Sequence, residues 1–238
     1  FGPFSRRSSA EAVQAALYDA FPIRQCTTRL SPKRPSASCV LGEMGRCVAP
    51  CELAITPEQY GALVDQVRAS MTSDIRPVLT AARGRLATLI GRQRFEDAAV
   101  VAARLNGFAS SALRHHRVAS LARCAQIVAA QRHEGGWTIH VIRYGRLAGA
   151  ARARPGDVPQ AVARSAVASA EQVARPVGPQ PAATTEETER IAAWLERPGV
   201  RLIEIEGEWS WPLHIGLAEG ELARHALDGA PVPTPQAG

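Results

Sequence analysis

Four cysteines, Cys26, Cys39, Cys47 and Cys51, are spaced C-x12-C-x7-C-x3-C in a stretch with no other visible means of holding itself together. Between Phe21 and Pro50 no apolar period of 3.6 or 2 is sustained, and Pro22, Pro32, Pro35, Gly42, Gly45 and Pro50 break any regular element. About thirty structureless residues do not persist in a compact domain unless something else orders them. Thiolates gathered on a metal centre supply that order in place of a hydrophobic core. Disulfides are the alternative, but a reducing compartment disfavours them and no secretory leader is visible. Tetrahedral zinc and an iron–sulfur cluster both accept four thiolates, so ligand type leaves the metal open. Cys124 lies apart on a helical pattern and reads as a small buried hydrophobe.

The basic residues are almost all arginine, Lys33 being the single lysine, and the formal charge is +6. Such a surface attracts phosphate backbones, although an Ala- and Arg-rich composition alone equally describes a solvated helical surface. Local clustering favours the first. Arg24, Arg29, Lys33, Arg34 and Arg46 interleave with the cysteines, so an ordered loop would project them together at several phosphates. No recognition helix is visible, and the expected DNA binding is independent of sequence. No run of about 18 uncharged apolar residues exists, so no membrane span is expected and the default location is the cytoplasm. The 238 residues suffice for one large domain or, as we read them, two smaller ones.

Ser8 and Glu11 have capping-box spacing, predicting a helix that ends near Ala20 with Ala12, Ala15, Ala16 and Leu17 buried. Thr56, Pro57 and Gln59 supply an N-cap, a first-turn proline and a capping-box partner for a second helix. A third is expected from near Asp74, followed by a break over Gly91–Arg94 and a reopening at Phe95, which together make a helical hairpin.

"FGPF" at 1–4, "FPIRQC" at 21–26, "GRCVAPC" at 45–51 and "RFEDAAVVAARL" at 94–105 together resemble the middle of the UvrC family, in order and separation. The resemblance covers residues 1 to about 120. It implies that Cys26, Cys39, Cys47 and Cys51 ligate a 4Fe-4S cluster, with one zinc ion as the alternative. It also implies that a UVR-like hairpin meets the helicase subunit UvrB through Phe95, Glu96, Ala98, Ala99 and Leu105. The aspartate that usually follows this motif is missing, since Ala103-Arg104-Leu105-Asn106 stands in its place. Truncated Cho-type nucleases and actinobacterial fusions of a DEDD exonuclease to a GIY-YIG and UvrC-like region are similar in organisation. Catalytic GIY-YIG and exonuclease domains are therefore expected upstream of Phe1.

Residues 137–152 alternate as a hairpin turning at Tyr144-Gly145-Arg146, and residues 200–213 read as one or two more strands. Helices are predicted over Val158–Val173 and Thr184–Glu196. Glu204, Glu206 and Glu208 alternate on one strand without the neighbouring aspartates that two-metal chemistry needs, and His115, His116 and His140 lack ligand spacing. Trp194, Trp209 and Trp211 read as core more readily than as stacking platforms.

The expected fold is α+β, mainly α. It comprises a cysteine-rich metal-cluster segment (1–55), a helical region with the UVR-like hairpin (56–132), a small antiparallel α+β module (135–230) and a disordered tail (231–238). The expected function is that of a noncatalytic DNA- and partner-binding region of a UvrC-like repair nuclease. The competing expectation is a zinc-stapled protein-interaction module that does not touch DNA.

Overall fold

The computed structural model describes residues 1–210 apart from residues 3, 5 and 179. Trp211, the end of the 200–213 strand reading and the 231–238 tail lie outside the described residues. The chain divides into two compact units, one running from Phe1 to Ala112 and a second starting at Leu113.

In the first unit, α1 (Arg7–Ala20) ends where the sequence predicts but starts differently. The Ser8–Glu11 box does not form; Arg6 occupies the cap position, and Arg7 instead bonds Glu11 at 2.7 Å. Val13, Ala16 and Leu17 face inward. A four-residue helix, α2 (Val40–Glu43), lies inside the cysteine loop. The start of α3 (Pro57–Thr72) is as expected, with the Thr56 hydroxyl accepting from Gln59 N–H at 3.2 Å and the Gln59 side chain accepting from Thr56 N–H at 3.0 Å. Helix α4 (Arg76–Gly91) buries Val78, Ala82, Leu86 and Leu89.

The α4 chain end turns through Gln93 in the left-handed region at φ 56°, where Arg94 N–H bonds Leu89 carbonyl at 2.9 Å. This pattern closes helix carbonyls and redirects the chain into α5 (Phe95–Arg123). Leu86 and Phe108 are fully buried, and the Phe1 ring stacks on Phe108 at 5.8 Å. Each such large side chain contributes about 1.5–3 kcal/mol by leaving water.

The second unit is an antiparallel sheet of order β3-β2-β1-β4, formed by β1 (Gln126–His133), β2 (Gly136–Arg143), β3 (Arg146–Ala153) and β4 (Val200–Glu206). Two-residue turns join the first three strands. Glu134-Gly135 and Tyr144-Gly145 all carry positive φ, the conformation that matches the twist of a tight hairpin. Gly145 is further constrained because an added Cβ would stand 3.0 Å from Pro181 and Thr188.

Helix α6 (Pro159–Ser169) covers one face through Ala163, Ala166 and Val167. On the other face, α7 (Thr185–Leu195) packs Ile191, Ala192 and Leu195 against Ile127, Ala129, Ile142 and Cys124. Cys124 is thus the buried hydrophobe expected, and burial raises its thiol pKa.

Strand β1 corrects the sequence reading, which carried helix to residue 132. Helix α5 stops at Arg123, and residues 126–130 are buried continuously because helices cover both faces of the sheet. A strand covered on both faces has no period-2 signature, and "AQIVAAQ" reads as a helix continuation.

His140 is half-buried with its ring 4.3 Å from that of Trp194, and desolvation lowers its pKa from 6.5. In acid the unfolded chain therefore takes up this proton first, and the stabilisation present above the ordinary pKa is lost as pH falls through the lowered one. Thermal melts should show Tm falling between about pH 7 and 5, and falling less in a His140→Phe variant.

Candidate functional site

The cysteine loop is tied at both ends by backbone bonds. Val48 N–H donates to Pro22 carbonyl at 2.9 Å, and Ser36 N–H donates to Cys51 carbonyl at 2.8 Å. Cys39 starts α2, where Gly42 N–H returns to its carbonyl at 2.8 Å. A single 3-10 turn (Pro50–Glu52) presents Cys51 and is flanked by Ala49 at φ 46° and Leu53 at φ 59°. Left-handed non-glycine residues cost about 1 kcal/mol or more each and persist where their surroundings impose them. Gly42 cannot be enlarged, as a Cβ there would meet Ser38 Cβ at 2.8 Å.

These constraints bring all four predicted cysteines onto one pocket. Cys26, Cys39, Cys47 and Cys51 line it together with Arg24, Leu30, Ser38, Gly42, Ala49 and Pro50, and it holds about 250 Å³ including its open mouth. No disulfide joins them; all four are free thiols. The Arg24 Nε donates to Cys26 Sγ at 3.1 Å, and this bond holds the Cys26 thiol below its usual pKa. Arg24 Nη2 is shut off from solvent and finds no hydrogen-bond partner among the described residues. An orphaned cationic donor in a wall of thiols fits an anionic sulfur-rich group.

No three of the described His, Cys, Asp and Glu residues stand close enough together for a single metal ion. One tetrahedral zinc would draw the sulfurs to about 3.8 Å from each other, from Zn–S bonds of about 2.3 Å. A four-iron cluster gives each thiolate its own iron and tolerates wider spacing.

The five predicted basic contacts separate into two groups. Arg29, Lys33 and Arg34 are exposed on the loop before Cys39. Arg24 is directed into the pocket, and Arg46 Nη2 bonds Asp19 Oδ1 at 3.1 Å. Asp19 also receives Arg85 at 2.7 Å and Arg104 at 2.9 Å, so one carboxylate of 7% side-chain exposure gathers three guanidinium groups. Sequence reasoning missed this hub because its partners lie 27, 66 and 85 positions away.

The five hairpin residues also divide. Phe95, Glu96 and Ala99 are exposed, Phe95 by 63%, with Val100 beside them at 50%. Ala98 and Leu105 are buried at 6% and 1% and belong to the intramolecular core. In the second unit Glu204 accepts from Gln126 at 3.0 Å, and Trp194 donates to Gln131 at 3.2 Å while packing on the core. Trp209 packs there as well. No helix among the described residues is long and apolar enough to cross a membrane.

Comparison with known proteins gives these features a setting. Residues 1–70 match the family model for the UvrC/Cho excinuclease middle domain. A Mycobacterium tuberculosis protein bearing the name bifunctional exonuclease/endonuclease protein is 34% identical over 212 residues, covering 87% of this chain and 32% of the relative. UvrABC system protein C of Corynebacterium jeikeium is 31% identical over 153 residues, covering 63% of this chain and 22% of that protein. The corresponding protein of Gloeobacter violaceus is 25% identical over 216 residues, covering 86% and 34%. The chain thus spans about a third or less of these relatives. No solved structure matches it.

Proposed function

The chain is UvrC-like, and from that premise we propose that it is the DNA- and partner-binding region of a repair nuclease, organised by a 4Fe-4S cluster on Cys26, Cys39, Cys47 and Cys51. The observation that carries this reading is the convergence of the four thiols and the orphaned Arg24 donor on one pocket. A cluster bound there would cross-link four positions of an otherwise irregular loop. Arg24 would hydrogen-bond its sulfur shell and offset part of its negative charge.

With the loop fixed, Arg29, Lys33 and Arg34 form a compact cationic surface for DNA phosphates, without groups that read bases. The exposed stripe of Phe95, Glu96, Ala99 and Val100 is the corresponding surface for a helical protein partner, and UvrB is the partner proposed. The nuclease chemistry is assigned to parts of the intact protein outside this chain.

Two measurements on protein purified without oxygen test the proposal. Iron and acid-labile sulfide should each be about four per chain. Duplex affinity should fall steeply with salt, and an Arg29→Gln/Lys33→Gln/Arg34→Gln variant should reduce the slope of log K against log salt by about 2.7. One zinc per chain with no DNA binding at low salt would replace this reading with the zinc-stapled interaction module.

A further inference from the structure

The second unit contains a groove that the loop and the hairpin leave unused. It lies beside β4 on the α6 face of the sheet and holds about 710 Å³ including its open side. Its walls are Trp137, Arg201, Leu202, Ile203, Pro159 and Gln160 over a floor at Ala130. Its cavity proper is about 320 Å³, at the lower end of the range of small-ligand sites, about 300–1,000 Å³.

Three observations define its chemistry. Trp137 is only partly buried and packs against the cluster of Val128, Ala130, Ile139, Ala153 and Ala163. Arg201 places its guanidinium carbon 5.7 Å from the centre of the Trp137 ring. Arg132 is exposed and stands directly opposite Trp137 in the β1–β2 register, on the same face of the sheet. No ion pair among the described residues involves either Arg132 or Arg201. The nearby carboxylates are engaged elsewhere: Glu134 pairs with Arg152, and Asp157 accepts from Arg154 N–H at 2.7 Å in its own turn. The groove therefore combines a partly exposed indole, the Arg201 cation and apolar lining at Leu202 and Ile203, which are 47% and 45% exposed, with the Arg132 cation next to Trp137 on the same sheet face.

An aromatic ring between arginines takes an unpaired base by stacking while the cations take the flanking phosphates. A duplex offers phosphates but no free base face, and an acidic peptide would leave the indole unused. We propose that this groove is a docking site for single-stranded DNA, with one base on Trp137 and phosphates at Arg132 and Arg201. The inference rests on the reading of the chain as a DNA-binding region and adds a second contact, specific for unpaired strands, to the duplex-binding loop.

The test uses the whole chain and a labelled oligothymidine of roughly twelve nucleotides, followed by anisotropy across a salt series beside a duplex of equal length. Trp137→Ala should weaken single-strand binding about tenfold or more. Arg132→Gln/Arg201→Gln should lower the single-strand salt slope by about 1.4. Both should leave duplex binding unchanged. Trp137→Phe, which keeps a stacking face, should retain most of the affinity and covers the case in which the alanine variant misfolds.

The Arg29→Gln/Lys33→Gln/Arg34→Gln protein separates the two readings. It should lose duplex affinity yet still respond to Trp137→Ala on the single strand. If single-strand binding is unmoved by the groove variants while the loop variant abolishes all DNA binding, the groove proposal falls and the loop reading stands. If sedimentation shows a dimer that Leu202→Glu dissolves, and no groove variant alters DNA affinity, the exposed β4 edge is a self-pairing surface and the proposal falls likewise.

Discussion

A Cys47→Ser variant purified without oxygen is expected to carry less than one iron per chain, against about four in the parent. A serine hydroxyl does not ionise near neutral pH and does not replace a thiolate ligand. The structural response should exceed that of an ordinary surface substitution, because metal–thiolate bonding in small sites of this kind supplies folding free energy on the order of 10 kcal/mol. Cys47 sits between Arg46, held by Asp19, and Val48, whose N–H bonds Pro22 carbonyl. Proteolysis should therefore open the loop between about residues 26 and 40 first, while far-UV circular dichroism keeps the signal of α1, α3, α4 and α5. A variant that retains four irons would overturn the ligand assignment.

Asp19→Ala is expected to cost about 2–4 kcal/mol in urea unfolding of the first unit. Removing one partner of a fully buried ion pair costs about 3–5 kcal/mol because it strands the other charge. Here the three arginines are each about a third exposed, which moderates the penalty. Asp19→Asn should recover part of the loss, since the amide oxygen still accepts hydrogen bonds but leaves the three positive charges unbalanced. A loss below about 0.5 kcal/mol would show the cluster to be no stronger than an exposed surface pair.

What the sequence revealed depended on how local the controlling interaction was. The Thr56–Gln59 capping box, the Tyr144-Gly145 turn and the end of α1 are set by neighbours within a few positions, and each falls where local rules place it. The grouping of the four cysteines was also legible, because their spacing in a stretch without apolar period left few other ways to order it. Their relation to Arg24 was not, since nothing in "FPIRQC" indicates that the arginine turns inward to sulfur while Arg29 stays exposed.

The misreadings have physical origins. Ser8 does not cap while Arg7 pairs with Glu11, β1 lost its alternation to burial on both faces, and Arg46, expected among the DNA contacts, pairs with Asp19 instead. At Ser8 a competing exposed i,i+4 pair stands in the same turn; for β1 and Arg46 partners distant in sequence outweighed the local preference. Trp137 belongs with these: in the sequence it is one aromatic at a strand start, and only the pairing of β1 with β2 and β4 sets Arg132 and Arg201 around it.

The Asp19 hub has a consequence for how the protein matures. Its four members come from α1, α4, α5 and the loop, and none of its bonds requires a metal. A newly made chain can therefore anchor Arg46, and with it the adjacent Cys47, as soon as the helices pack. If the proposed cluster is bound, its delivery would begin at a ligand already held in position, with the Cys26 and Cys39 arms closing afterwards. Under the proposed function, such a chain would await the cluster partly assembled, and a shortage of iron would yield a protein with its helices formed and its cysteine loop unfinished.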